Sequence, residues 1–110
     1  MKKSVLLFGE KGTGKTHKLN ELMSVIDKSR STEMRFNEFQ LAVKSELKTQ
    51  YDVIAIDSVV TVRDIDYLSM AALAYGFVLI VATQKSVKEL ETIDLSAFEV
   101  VECSYSYTGA

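Results

Sequence analysis

One run of residues, Gly9-Glu10-Lys11-Gly12-Thr13-Gly14-Lys15-Thr16, carries the most specific chemistry in the sequence. It meets the pattern G-x-x-x-x-G-K-[ST], in which each fixed position has a mechanical reason. Glycines allow a tight wrap with no Cβ in the way, so that successive backbone N–H groups converge on one anion. A helix opening at Lys15 adds the partial positive charge of its N-terminus. Lys15 then has the charge and reach to meet β- and γ-phosphates, and the Thr16 hydroxyl can ligate Mg²⁺. The chemistry is capture of a nucleoside triphosphate. A chance match to the pattern is expected in well under ~1% of chains of this size. The predicted phosphate-binding stretch therefore runs from Gly9 through Thr16 and on to His17, the next helical position. His17 itself reads as an exposed helix residue and Lys11 as a solvated loop charge.

A second acidic element follows. Val53-Ile54-Ala55-Ile56-Asp57 is an apolar strand ending in a carboxylate, the form of a Walker B segment. An aspartate at the carboxyl end of a strand beside the phosphate-loop strand can hold Mg²⁺, usually through a water. Metal ligation is thus expected of Thr16 and Asp57. The residue after Asp57 is Ser58, where many P-loop ATPases of the AAA+ type place a catalytic glutamate. With one His and one Cys, the sequence offers no zinc site, which needs about four such ligands.

Positioning these groups falls to an alternation of short apolar runs and longer amphipathic stretches, the mark of βαβ units and a parallel sheet. The runs 4–8, 32–36, 51–56, 77–83 and 98–104 read as strands, the second towards an edge because its Thr-Glu-Met-Arg-Phe alternates. Helices are expected from Lys15, after a cap at Asn37 with Gln40 as its partner, from Arg63 to Tyr75 with Gly76 as the stop, and from Ser86 to about Ile93. The fold class that follows is α/β, a three-layer sandwich with a five-stranded, mostly parallel sheet, in a single domain spanning 1–110.

Composition bounds the rest. In 110 residues the apolar fraction is 47% and the charged fraction 25%, enough for one core and little more. Net charge is −2, with ten Lys and only Arg30, Arg35 and Arg63, so nucleic-acid binding is unsupported by charge. Met1-Lys2-Lys3 precedes too short an apolar run for a secretory signal, and no stretch approaches the ~18 apolar residues of a membrane span. A cytoplasmic protein is the expectation, and a single cysteine agrees with it.

The order of these motifs resembles the RecA/KaiC-like (ASCE) branch of P-loop NTPases and its small phage relatives. The resemblance rests on Gly9–Thr16, on Ile56-Asp57-Ser58-Val59-Val60 and on Ala82-Thr83-Gln84 closing the fourth strand. It implies a RecA-like core that binds ATP with Mg²⁺, a catalytic glutamate at the end of the second strand, here Glu38, and a γ-phosphate sensor, here Gln84. Lys15 completes the catalytic set. As a helix-opening acid, Glu38 also suits the helix dipole with no catalytic duty, and Glu33, Asp64 and Glu10 are weaker candidates for the base. Hexameric relatives take an arginine finger from a neighbour, so a homo-oligomer or a larger partner is implied, with Lys85 a possible substitute. Partitioning-type ATPases carry a signature lysine where this chain has Glu10. A nucleotide kinase would need an arginine-bearing lid, and none is visible. The expected function is a slow ATPase in a phage- or plasmid-type DNA process, and the alternative is a nucleotide-dependent regulatory or assembly module with negligible hydrolysis. The C-terminal Tyr105-Ser106-Tyr107 reads as an edge strand or tail whose aromatics pack.

Overall fold

The computed structural model describes residues 3–9, 14–85 and 87–103. Loop residues Glu10, Lys11, Gly12 and Thr13, the expected helix cap Ser86 and the terminal residues 104–110 lie outside the described residues.

Five strands form one sheet: β1 (Ser4–Phe8), β2 (Ser31–Met34), β3 (Val53–Val59), β4 (Val78–Thr83) and β5 (Phe98–Glu102). Their order is β2-β3-β4-β1-β5, and every pairing is parallel. The alternating strand lies at an edge, as its pattern requires. Side chains of β1 show the period of two: Leu6 and Phe8 enter one core, Val5 and Leu7 the other. Helix α1 (Lys15–Ser24) covers the second core with Leu19, Leu22 and Met23. The first core is covered by α2 (Phe36–Leu41), α3 (Lys44–Gln50), α4 (Val62–Tyr75) and α5 (Val87–Leu90), through Phe39, Leu47, Ile65, Leu68 and Leu90. The result is the expected three-layer α/β sandwich.

Three details depart from the sequence reading. Strand β4 stands between β1 and β3, so Asp57 is not on a strand adjacent to the phosphate-loop strand. Helix α2 begins earlier, with Arg35 rather than Asn37 at its cap. There the Arg35 N–H donates to Glu38 Oε1 at 3.3 Å, while Asn37 Oδ1 accepts from the Glu38 N–H. Lastly, the segment between β2 and β3 is two helices, because the chain extends at Ala42 and Val43. The buried Lys44 amine turns back to donate to the Gln40 and Ala42 carbonyls, each at 2.9 Å. It also lies over the Phe39 and Tyr67 rings, 4.9 and 5.5 Å from their centroids. A carbonyl that a continuous helix would have paired with a backbone N–H is satisfied by a side chain instead.

Helix α4 has clear punctuation. Thr61 caps it by accepting from the Asp64 N–H, and Gly76 ends it at φ +74°, where a side chain would be strained. At the amino ends of the strands, Arg30 makes two hydrogen bonds to Asp52, from Nε at 3.1 Å and Nη2 at 3.0 Å, and a third to the Thr49 carbonyl. The Arg30 guanidinium and the Lys48 amine hold the Asp52 carboxyl down to about 2. Arg30 is thereby committed to the fold.

Candidate phosphate and metal site

Parallel strands put all their carboxyl ends on one edge of the sheet, the edge where ligands bind in open α/β folds. β1 delivers Phe8 and Gly9 to this edge, and α1 opens at Lys15 directly after Gly14. Gly9 has φ +150° and Gly14 φ +84°, both in territory that glycine occupies readily and L side chains rarely do. Gly14 then serves as the cap of α1, its carbonyl accepting from the Lys18 N–H at 2.9 Å.

Lys15 is buried, and its ammonium donates to the Gly9 carbonyl at 2.7 Å, closing the ends of the loop on each other. Thr16 lies next along the helix and its hydroxyl donates to Asp57 Oδ2 at 2.9 Å. These groups are 41 residues apart, Thr16 on the helix that follows β1 and Asp57 on β3, with β4 between the two strands. His17 is exposed on α1.

β3 continues through Asp57 to Val59, with a register slip against β4 between those residues and a cis peptide after Asp57. Beyond it, Ser58, Val59, Val60, Gln84, Lys85 and Glu89 line a depression of about 300 Å³. Gln84 is exposed at its rim, and Lys85 faces Glu89 at 3.8 Å. The structure therefore gathers Lys15, Thr16 and Asp57 directly and places Gln84 at the end of the intervening strand. Glu38 sits past the end of β2, the neighbour of β3, with its carboxylate in the α2 cap.

Two residues escaped the sequence reading. Thr83 is fully buried; its hydroxyl donates to the Val59 carbonyl at 2.9 Å and accepts from the Lys85 N–H at 3.2 Å. It ties the ends of β3 and β4 together directly behind Ser58 and Gln84. Its signal was present, a lone hydroxyl closing the apolar run Phe77–Ala82. The other is Cys103, whose N–H donates to the Phe8 carbonyl at 2.8 Å. Burial pushes its thiol up, against the lowering influence of the Lys15 and Lys18 charges.

The donor set fits magnesium. Adjacent oxygens around an octahedral ion with ligands at about 2.1 Å stand about 3.0 Å apart. The Thr16 and Asp57 oxygens, hydrogen-bonded at 2.9 Å, stand close enough to serve one ion, Asp57 directly or through a water. Among the described residues no group of three or more His, Cys, Asp or Glu could hold a metal.

No family model matches the sequence, and no curated protein does. Among solved structures, the chain is similar to AMPPCP-bound DnaA from Aquifex aeolicus, with a TM-score of 0.58 and 16% identity over 94% of this chain and 41% of that one. It is also similar to the replication initiator DnaA bound to AMPPCP and single-stranded DNA, with a TM-score of 0.53 and 15% identity over 94% of this chain and 40% of that one. The chain thus spans about two fifths of the length of these neighbours. At such identity the likeness is one of architecture, and the architecture is the P-loop NTPase fold.

Proposed function

We propose that this chain binds ATP with Mg²⁺ at the mouth formed by Gly9–Thr16 and Asp57, and hydrolyses it slowly until a partner completes the site. The observation that carries the reading is the 2.9 Å hydrogen bond between Thr16 Oγ1 and Asp57 Oδ2, which brings two oxygens from distant segments together at the end of the phosphate loop. In this reading the loop N–H groups and the α1 N-terminus hold the phosphates. Lys15, now on the Gly9 carbonyl, would meet the β- and γ-phosphate oxygens, and Thr16 and Asp57 would hold the ion. Bound Mg²⁺ would neutralise the charge that develops on the phosphates. Gln84, at the rim of the depression beside Ser58, hydrogen-bonds the γ-phosphate, and Glu38 orients the attacking water.

The likeness to two nucleotide-bound structures supports the ligand class. A DNA-related, phage- or plasmid-type setting is our inference from the family resemblance and from the single-stranded DNA in one neighbour. The charge of −2 points to DNA contact through partners rather than through this chain alone. With Arg30 held by Asp52, an arginine finger would come from a second copy or a larger partner. One observation favours a regulatory or assembly module with negligible turnover: the Glu38 carboxylate already has a partner in the α2 cap, and Ser58 supplies no acid after Asp57.

The test is thermal unfolding with Mg²⁺ and AMPPCP, ATP or GTP. Ligand at ~100 times its Kd stabilises by ~2.7 kcal/mol, about 10 °C for a domain of this size. Lys15→Ala should abolish the shift. No shift with any triphosphate would refute nucleotide binding. A shift without turnover, alone or with DNA, would select the regulatory reading.

A further inference from the structure

Lys85 follows the strand on either side of which the site is assembled. Thr16 comes from the β1 side and Asp57 from β3, so their 2.9 Å hydrogen bond joins segments that flank β4. β4 ends in step with both neighbours, Thr83 pairing with Phe8 on one side and Val59 on the other. Gln84 and Lys85 therefore leave the sheet at the height where Gly9 opens the phosphate loop.

The backbone of Lys85 is fixed there. Its N–H donates to the buried Thr83 hydroxyl at 3.2 Å, and that hydroxyl is tied in turn to the Val59 carbonyl. The half-buried Lys85 side chain lines the depression of about 300 Å³ together with Ser58 and Gln84.

The ammonium, by contrast, is held lightly. The Glu89 carboxylate, four residues on, stands 3.8 Å away, longer than a hydrogen bond, and Glu89 is exposed. Exposed pairs of this kind are screened by salt and contribute little. No arginine is as well placed: Arg30 is bound by Asp52, Arg35 follows β2, two strands from β4, and Arg63 is exposed on α4.

We propose that Lys85 is the residue by which this site tells a nucleoside triphosphate from a diphosphate: its ammonium, now beside Glu89, would hold the third phosphate. The inference rests on the nucleotide reading and adds a charge to the neutral Gln84 amide beside it. A terminal phosphate offers more negative charge than one carboxylate, and three acceptor oxygens. Lysine is a point charge on a flexible four-carbon stem, so it can serve two acceptors from one fixed backbone. A diphosphate, lacking that group, leaves Lys85 with Glu89.

Isothermal titration calorimetry of the whole chain with Mg·AMPPCP and with Mg·ADP tests this. Lys85→Met keeps the stem and the backbone hydrogen bond to Thr83, so the unliganded Tm should move by less than ~2 °C. It should weaken AMPPCP ~10-fold or more and ADP less than ~2-fold. Lys85→Arg should stay within ~3-fold of wild type for both nucleotides. Glu89→Gln should tighten AMPPCP ~2-fold by removing the competing carboxylate. Lys88→Met, the same change of charge at an exposed position on α5, should alter neither affinity. AMPPCP affinity unchanged in Lys85→Met, equal losses for the two nucleotides, or an equal effect of Lys88→Met would overturn the inference and leave nucleotide binding standing. A wild type that binds neither nucleotide would overturn both.

Discussion

Thr83→Val is the perturbation that most directly tests how the site is held. The substitution keeps shape and favours a strand, so propensity alone predicts a neutral or stabilising change. The structure predicts the opposite. Valine would leave the buried Val59 carbonyl without its donor and the Lys85 N–H without its acceptor. An unsatisfied buried group costs about 1–3 kcal/mol, and the Lys85 N–H lies close enough to water to recover part of its share. The expected loss is about 2–3 kcal/mol, or about 8–12 °C in Tm for a domain of this size. Thr83→Ser keeps the hydroxyl and removes one buried methyl, for about 1 kcal/mol and about 4 °C. Thermal unfolding of the three proteins by circular dichroism gives the order wild type, serine, valine. A valine variant as stable as wild type, or more stable than the serine variant, would refute the argument that this hydroxyl joins β3 to β4.

Two further expectations concern carboxylates. Glu38→Gln preserves an oxygen able to accept from the Arg35 N–H, so Tm should move by less than about 2 °C. If Glu38 orients water, turnover should fall at least ~10-fold at unchanged AMPPCP affinity, and unchanged turnover would remove the assignment. The second expectation is acid sensitivity at Asp52. Its folded pKa, about 2, lies below the ~3.9 of an unfolded aspartate. The stability it contributes is therefore fully present above the unfolded value and disappears as pH falls from about 4 through about 2. The Tm gap between wild type and Asp52→Asn should be constant above pH ~5 and close towards pH ~2. A gap that does not narrow would mean that Arg30 and Lys48 do not act through the carboxylate charge.

Much of the architecture was legible because its causes are local. Apolar runs such as Val5–Phe8 and Leu79–Ala82 have the length and composition of strands covered on both faces, and Gly76 marks a helix end by backbone chemistry alone. What escaped depends on groups distant in sequence. The break at Ala42–Val43 is stabilised by the Lys44 amine folded over Phe39 and Tyr67, and Tyr67 belongs to another helix. The central place of β4 cannot be read from the lengths of its connections, so the phosphate-loop and Walker B strands were taken as neighbours. At the site, the motif made Thr16 and Asp57 candidates, and only the fold sets their separation. Thr83 reads in the sequence as part of a strand end, and its duty follows only from Val59 standing beside it.

The placement of β4 also orders events in time. β1 precedes the other four strands along the chain, yet among the described residues its partners are β4 and β5. Until residues 78–83 have left the ribosome, Val5–Phe8 has no strand to lie against, whereas β2 and β3 can already join. The nascent chain therefore carries an unsatisfied apolar edge while the residues between β1 and β4 are made, a period in which such edges invite association with other chains. Lys15 and Thr16 precede Asp57 in the chain, yet the strand that leads to them settles only after the strand that follows Asp57 has been made.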